Sequence, residues 1–144
     1  NILTKLFLRD FIERDSGLIL NVSSSSAFLP GPLLSSYYAS KAYILRLSQA
    51  IYEELRRAKS NVHISVLCPG PVKTEFDEKA DVKFSIRGLT SEYVANYAVR
   101  KTFEHKLVII PGIKMKLVRF FSHLLPDKLL MRAAWHIQKR KQQR

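Results

Sequence analysis

The chain has 144 residues, 47% of them apolar, and a formal net charge of +12. That length and apolar fraction are enough for one domain with a core, while no apolar run approaches the ~20 residues of a membrane span. Cys68 is the only cysteine, which excludes an internal disulfide and suits a reducing, cytoplasmic setting; it reads as a small buried residue at a strand end rather than a reactive thiol.

In chain order the pattern alternates helix and strand. Leu3, Leu6, Phe7, Phe11 and Ile12 are spaced for one face of a helix over residues 2–14, with Ser16-Gly17 as its stop. Leu18–Val22 is a short apolar run suited to a buried parallel strand. Residues 23–36, with Pro30-Gly31-Pro32, read as a loop. Ala42, Leu45, Ile51 and Leu55 then recur at helical spacing from Tyr37 to about Ala58, with Ser35 or Ser36 as N-cap. Asn61–Leu67 is a second strand, Pro69–Leu89 a loop, and Thr90 or Ser91 caps a helix running to about Glu104. Lys106–Ile110 is a third strand, stopped by Pro111-Gly112, and two tail helices are separated by Pro126. Strand and helix in alternation predict an α/β fold with a parallel sheet and helices on both faces.

Within this frame Ser24 is followed thirteen residues later by Tyr37, and Tyr37 four residues later by Lys41. On a helix Tyr37 and Lys41 project from one face. An ammonium beside a phenol favours the phenolate, which makes Tyr37 a candidate general acid/base, and the Ser24 hydroxyl can orient a carbonyl or alcohol oxygen. Spacing alone does not single out the pair. Tyr97 and Lys101 match it too, but position 84, thirteen before Tyr97, is Phe84. Tyr38 has Ala42 four residues on, which carries no charge, whereas Ser23, Ser25 and Ser26 stay open as rivals of Ser24.

Taken together, L-I-L-N-V-S-S at Leu18–Ser24, Y-Y-A-S-K-A at Tyr37–Ala42 and C-P-G-P-V-K-T at Cys68–Thr74 resemble the short-chain dehydrogenase/reductase family. The resemblance implies a Rossmann-like doubly wound parallel sheet, here as its C-terminal half of about three strands. Residues 1–112 would belong to that half and 113–144 to a basic helical extension. The family's glycine-rich cofactor turn has no counterpart, because Gly17, Gly31, Gly70, Gly88 and Gly112 lie too far apart, so the chain is expected to be a fragment, inactive alone. By resemblance Ser24, Tyr37 and Lys41 are catalytic. Tyr37 and Lys41, together with Pro69, Gly70, Val72 and Thr74, would meet NAD(H) or NADP(H), with Gly70 allowing close approach to a flat ring. Glu75–Leu89 would form a flap over the substrate. The family's catalytic asparagine has no convincing counterpart, since Asn1 lies too close to Ser24.

The implied activity is NAD(P)-dependent oxidoreduction of a carbonyl or alcohol by a homo-oligomer, with no metal, since His63, His105 and His123 lack ligand spacing. The P-G-P-L-L loop and the lysine-rich end are similar to reductases of fatty-acyl or steroid-like ketones. Residues 101–144 carry +9 of the charge, eleven Lys and Arg against Glu104 and Asp127. Leu117, Val118, Phe121, Leu124 and Leu125 form an apolar stripe there, with Lys114, Lys116 and Arg119 outside it. Such a tail can touch a membrane surface peripherally. The alternative class is a non-catalytic fragment or basic module binding anionic lipid or nucleic acid; nucleic acid is not expected for the enzyme.

Overall fold

A computed structural model of the chain describes residues 2–73 and 88–142. Helix α1 (Ile2–Glu13) leads into strand β1 (Gly17–Val22), a single 3-10 turn (Ser25–Phe28) and helix α2 (Ser35–Arg57). Strand β2 (Val62–Leu67) is followed by two two-residue strands, β3 (Val72–Lys73) and β4 (Leu89–Thr90). Helix α3 (Ser91–Phe103), strand β5 (Val108–Ile109) and helices α4 (Ile113–Leu124) and α5 (Asp127–Gln142) complete it. The main sheet has the order β1-β2-β5, all parallel, with Leu18 opposite His63 and Val66 opposite Val108. β3 and β4 form a separate parallel pair.

The central strand sets the layers. Along β2, Val62, Ile64, Val66 and the following Cys68 pack with Leu45, Ile51 and Leu55 of α2 on one face. Leu67 points the other way, to Val94 and Ala98 of α3 and Ile109 of β5. A strand buried on both faces needs this nearly continuous apolar run rather than alternation. Each such buried aliphatic contributes about 1.5–3 kcal/mol over an exposed one. β1, by contrast, has one partner strand among the described residues and is half-buried along most of its length, with Val22 exposed.

Three helices end in the same way. Asp15, Lys59 and His105 each have positive φ (46°, 53° and 56°). After each, a six-to-one backbone bond closes the turn: Ser16 N–H to Phe11 O, Ser60 N–H to Leu55 O, Lys106 N–H to Lys101 O. This is the Schellman closure, in which glycine usually takes the left-handed position. The expected stop at Ser16-Gly17 is therefore corrected to Asp15. Its carboxylate binds the Asn61 N–H at 2.8 Å, the Asn61 amide and the Ser60 hydroxyl, which hold its pKa below the ordinary range. Gly17 serves packing instead, since a Cβ there would sit 2.1 Å from the Phe11 ring.

Two amphipathic faces are also corrected. In α1 the residues turned inward are Thr4, which is buried, with Leu8 and Phe11, whereas Leu3, Leu6, Phe7 and Ile12 are exposed. Thr4 is drawn in by its bond to Asn21, whose amide in turn donates to the buried Ser48 hydroxyl. In α4, Met115 and Val118 join the core, while Leu117, Phe121, Leu124 and Leu125 face outward. The α2 N-cap is Leu34, with no side-chain cap bond; Ser35 and Ser36 are already helical. Thr90 does cap α3, accepting the Tyr93 N–H.

His63 and His105 stack with ring centroids 3.5 Å apart. Burial first, and then the neighbouring imidazole, lower the His63 pKa. A histidine held below its unfolded value favours the fold when neutral, so this contribution is complete above about pH 6.5 and is lost as pH falls toward the folded value. The midpoint of thermal unfolding is expected to drop between pH 7.5 and 5.5, and to drop less in His105→Asn, which tolerates the positive φ but removes the stack. Parallel curves for the two proteins would rule out this source of acid sensitivity.

Candidate active site

The candidate residues gather at the C-terminal ends of β1 and β2, the end at which open α/β sheets receive ligands. Backbone bonds join the two strand exits: Ser23 N–H donates to Leu67 O and Ser25 N–H to Pro69 O, each at 2.8 Å. The Ser23 hydroxyl donates to the Lys41 carbonyl at 2.7 Å, which ties the end of β1 to the second turn of α2. Three of the four consecutive serines are thereby told apart. Ser23 is buried and committed to the α2 backbone, and Ser26 is buried with its hydroxyl unpartnered. Ser24 is extended (φ −163°) and only partly buried, and its Oγ accepts the Ser26 N–H at 3.1 Å. Its own O–H hydrogen stays available to donate outward.

Tyr37 lies in the first turn of α2 and is 47% exposed. The Lys41 Nζ sits 5.7 Å from the centroid of its ring, so the two side chains do share a face. No described carboxylate forms an ion pair with Lys41. Tyr38 is engaged elsewhere: its ring fills the space where a Gly31 Cβ would be, and its hydroxyl accepts from the buried Gln138 amide of α5. Burial raises its pKa, which keeps it a neutral phenol. The Tyr97–Lys101 pair repeats the geometry, with Nζ 5.9 Å from the ring. There, however, Lys101 is bound to Glu104. Spacing thus produces the same stacked pair twice, and only one copy keeps a lysine in no ion pair with a described acid.

After β2 the chain runs through Cys68, Pro69, Gly70 and Pro71 into β3. The Pro71 carbonyl accepts the Leu89 N–H, which fixes the turn. A Cβ on Gly70 would meet the Met115 side chain at 2.7 Å, so internal packing already accounts for this glycine. Thr74, most of the expected flap from Glu75 onward, and Asn1 lie outside the described residues. Cys68 is fully buried, as expected, and burial pushes its thiol up to about 11. Native protein at pH 8 should therefore react slowly with a thiol-specific disulfide reagent, and denatured protein fast. Equal rates would contradict the buried placement. One arrangement gave no sequence signal: the Thr4–Asn21–Ser48 chain that ties α1, β1 and α2 together joins residues 17 and 27 positions apart.

The family profile described as short chain dehydrogenase matches residues 2–84. Human (Homo sapiens) 17-beta-hydroxysteroid dehydrogenase type 3 is 44% identical over 72 residues, covering 50% of this chain and 23% of that protein. Mouse (Mus musculus) very-long-chain 3-oxoacyl-CoA reductase is 47% identical over 53 residues, 37% of this chain and 17% of that protein. Among solved structures, a short-chain dehydrogenase from Sphingobium yanoikuyae in complex with NADPH superposes with a TM-score of 0.63 at 26% identity. That match covers 73% of this chain and 41% of that one. The matched stretches thus span less than a quarter of the two curated relatives.

Proposed function

We propose, for a chain that belongs to the short-chain dehydrogenase family, that it forms the catalytic part of an oxidoreductase interconverting a carbonyl and an alcohol with NAD(H) or NADP(H). The observation that carries this reading is the Lys41 ammonium, in no ion pair with a described acid, over the exposed Tyr37 ring on the helix to which Ser23 ties the end of β1. The donor set fits a dinucleotide: a free cation and open hydroxyls stand at the end of a parallel sheet, next to a proline-fixed turn. Lys41 and Tyr37, with the backbone of Pro69, Gly70 and Val72, would hold the cofactor's nicotinamide end, and Thr74 belongs with them by resemblance. The NADPH complex of the Sphingobium protein supports a nicotinamide ligand of this kind.

When bound, the cofactor supplies or accepts the hydride. Ser24 donates its free O–H to the substrate oxygen and stabilises the negative charge that develops there. Tyr37 gives its phenolic proton to that oxygen in reduction and takes it back in oxidation. Lys41 contributes positive charge next to the phenol and would hold the bound cofactor through a hydrogen bond, so it would act on both turnover and binding. The relatives' names, a hydroxysteroid dehydrogenase and a 3-oxoacyl-CoA reductase, support a fatty-acyl or steroid-like ketone as substrate. The whole enzyme would act as a homo-oligomer in the cytoplasm. The outward apolar stripe of α4, flanked by Lys114 and Lys116, supports peripheral contact with an anionic membrane, which vesicle flotation would test.

The direct experiment follows NADH and NADPH consumption by the full-length protein with 3-oxoacyl thioesters and ketosteroids. A rate that exceeds the Tyr37→Phe background with one of these classes supports the reading. No substrate-dependent oxidation with either cofactor would refute it.

A further inference from the structure

A cavity of about 630 Å³ lies beside β5, between α3 and α4, at the edge of the sheet away from β1. None of Ser24, Tyr37 and Lys41 lines it. Its volume is that of ordinary small-ligand sites. Tyr97, Val108 and Phe120 give it apolar walls, while Lys106, Lys116 and Arg119 bring three cations to its lining, beside Lys101, which is bound to Glu104. No acidic residue is among the described lining residues, and none of these three cations forms an ion pair with a described acid. Arg119 lies over the Phe28 ring 5.6 Å from its centroid, so its guanidinium is held toward the turn Ser25–Phe28, and Phe28 is not among the residues that line this cavity. Glu104 binds Lys101 and acts on Lys106 at one side of the cavity, while Lys116 and Arg119 form no ion pair with a described acid, so the lining keeps a net positive charge.

We propose that this cavity binds a single-chain anionic amphiphile, a fatty carboxylate or alkyl phosphate, with its chain along Tyr97, Val108 and Phe120 and its head at Lys106 and Lys116. Charge complementarity sets the sign of the head, and the wall chemistry requires the chain. This site goes beyond the oxidoreductase reading and does not depend on it.

The test is calorimetric titration of the full chain with dodecyl phosphate and with dodecanoate, both below their micelle concentrations. Saturable one-to-one binding is expected, with no binding of dodecyltrimethylammonium and much weaker binding of inorganic phosphate. Lys106 and Lys116 are exposed, so Lys106→Gln with Lys116→Gln should leave the circular dichroism spectrum and unfolding midpoint unchanged. Partly exposed ion pairs are worth a factor of about two to five each, so this double variant should lower affinity about tenfold. The matched change on α5, Lys128→Gln with Arg132→Gln, removes the same charge outside the cavity and should leave affinity unchanged. Equal losses in the two double variants, phosphate binding as tightly as dodecyl phosphate, or binding only to phosphatidylglycerol vesicles would each overturn the proposal.

Discussion

Replacing Tyr37 by phenylalanine in the full-length protein is expected to lower turnover by about 10²–10⁴-fold, the range of general acid–base catalysis, and to leave nicotinamide affinity near that of the unaltered protein. The ring itself stays. Its stack under Lys41 and its edge contact with Tyr38, centroids 6.0 Å apart, need no hydroxyl. Only the proton-carrying oxygen is removed, so the effect should appear in kcat rather than in KM. Tyr97→Phe is the matched control, because that ring has the same lysine geometry without a free ammonium. If Tyr97→Phe costs as much as Tyr37→Phe, the proton does not pass through Tyr37.

Lys41→Met is expected to damage both turnover and cofactor binding. Methionine keeps an unbranched apolar stem and removes the charge. A charge-assisted hydrogen bond is worth about 1.5–3 kcal/mol, so cofactor affinity measured by calorimetry should fall about 10–100-fold. Turnover at saturating cofactor should fall by a further ~10²-fold, the scale on which a preorganised electrostatic contact acts. Lys41→Arg retains charge and should recover part of the affinity, with less of the rate, because the planar guanidinium cannot occupy the ammonium's position over the ring. The backbone carbonyl of Lys41, which receives the Ser23 hydroxyl, is unchanged in either variant, so the tie between β1 and α2 survives. A Lys41→Met protein with unaltered cofactor affinity would show that the ammonium does not reach the cofactor.

Much of this architecture was legible in the chain. The order of helices and strands follows from local signals that need no neighbours: apolar runs for β1 and β2, period-3.6 spacing in α2, Thr90 as a cap, prolines as stops. The Tyr37–Lys41 face follows from helical geometry alone, since residues four apart on a helix must meet. The burial of Cys68 follows from its place at the end of an apolar strand. Helix ends were less legible, because Asp15, Lys59 and His105 adopt left-handed backbone without being glycines, under the constraint of the six-to-one bonds that join each helix to its strand.

Tertiary structure decided the rest. Sequence periodicity finds an apolar arc but not which part of it turns inward. In α1 the choice fell to Thr4 through its bond to Asn21, and in α4 to Met115 through its place in the core with Val66 and Ile110. In the serine run Ser23–Ser26 only the family resemblance preferred Ser24. Only the folded backbone commits Ser23 to α2, buries Ser26, and leaves Ser24 with a hydrogen to give. The two Tyr-x-x-x-Lys pairs, which the sequence separated only by Phe84 thirteen residues before Tyr97, differ in the fold because Glu104 binds one lysine. Secondary structure and i-to-i+4 faces are local consequences of dihedral geometry, and so a sequence states them directly. Which hydroxyl is free and which cation is unpaired depends on partners brought together from distant positions, and those only the fold supplies.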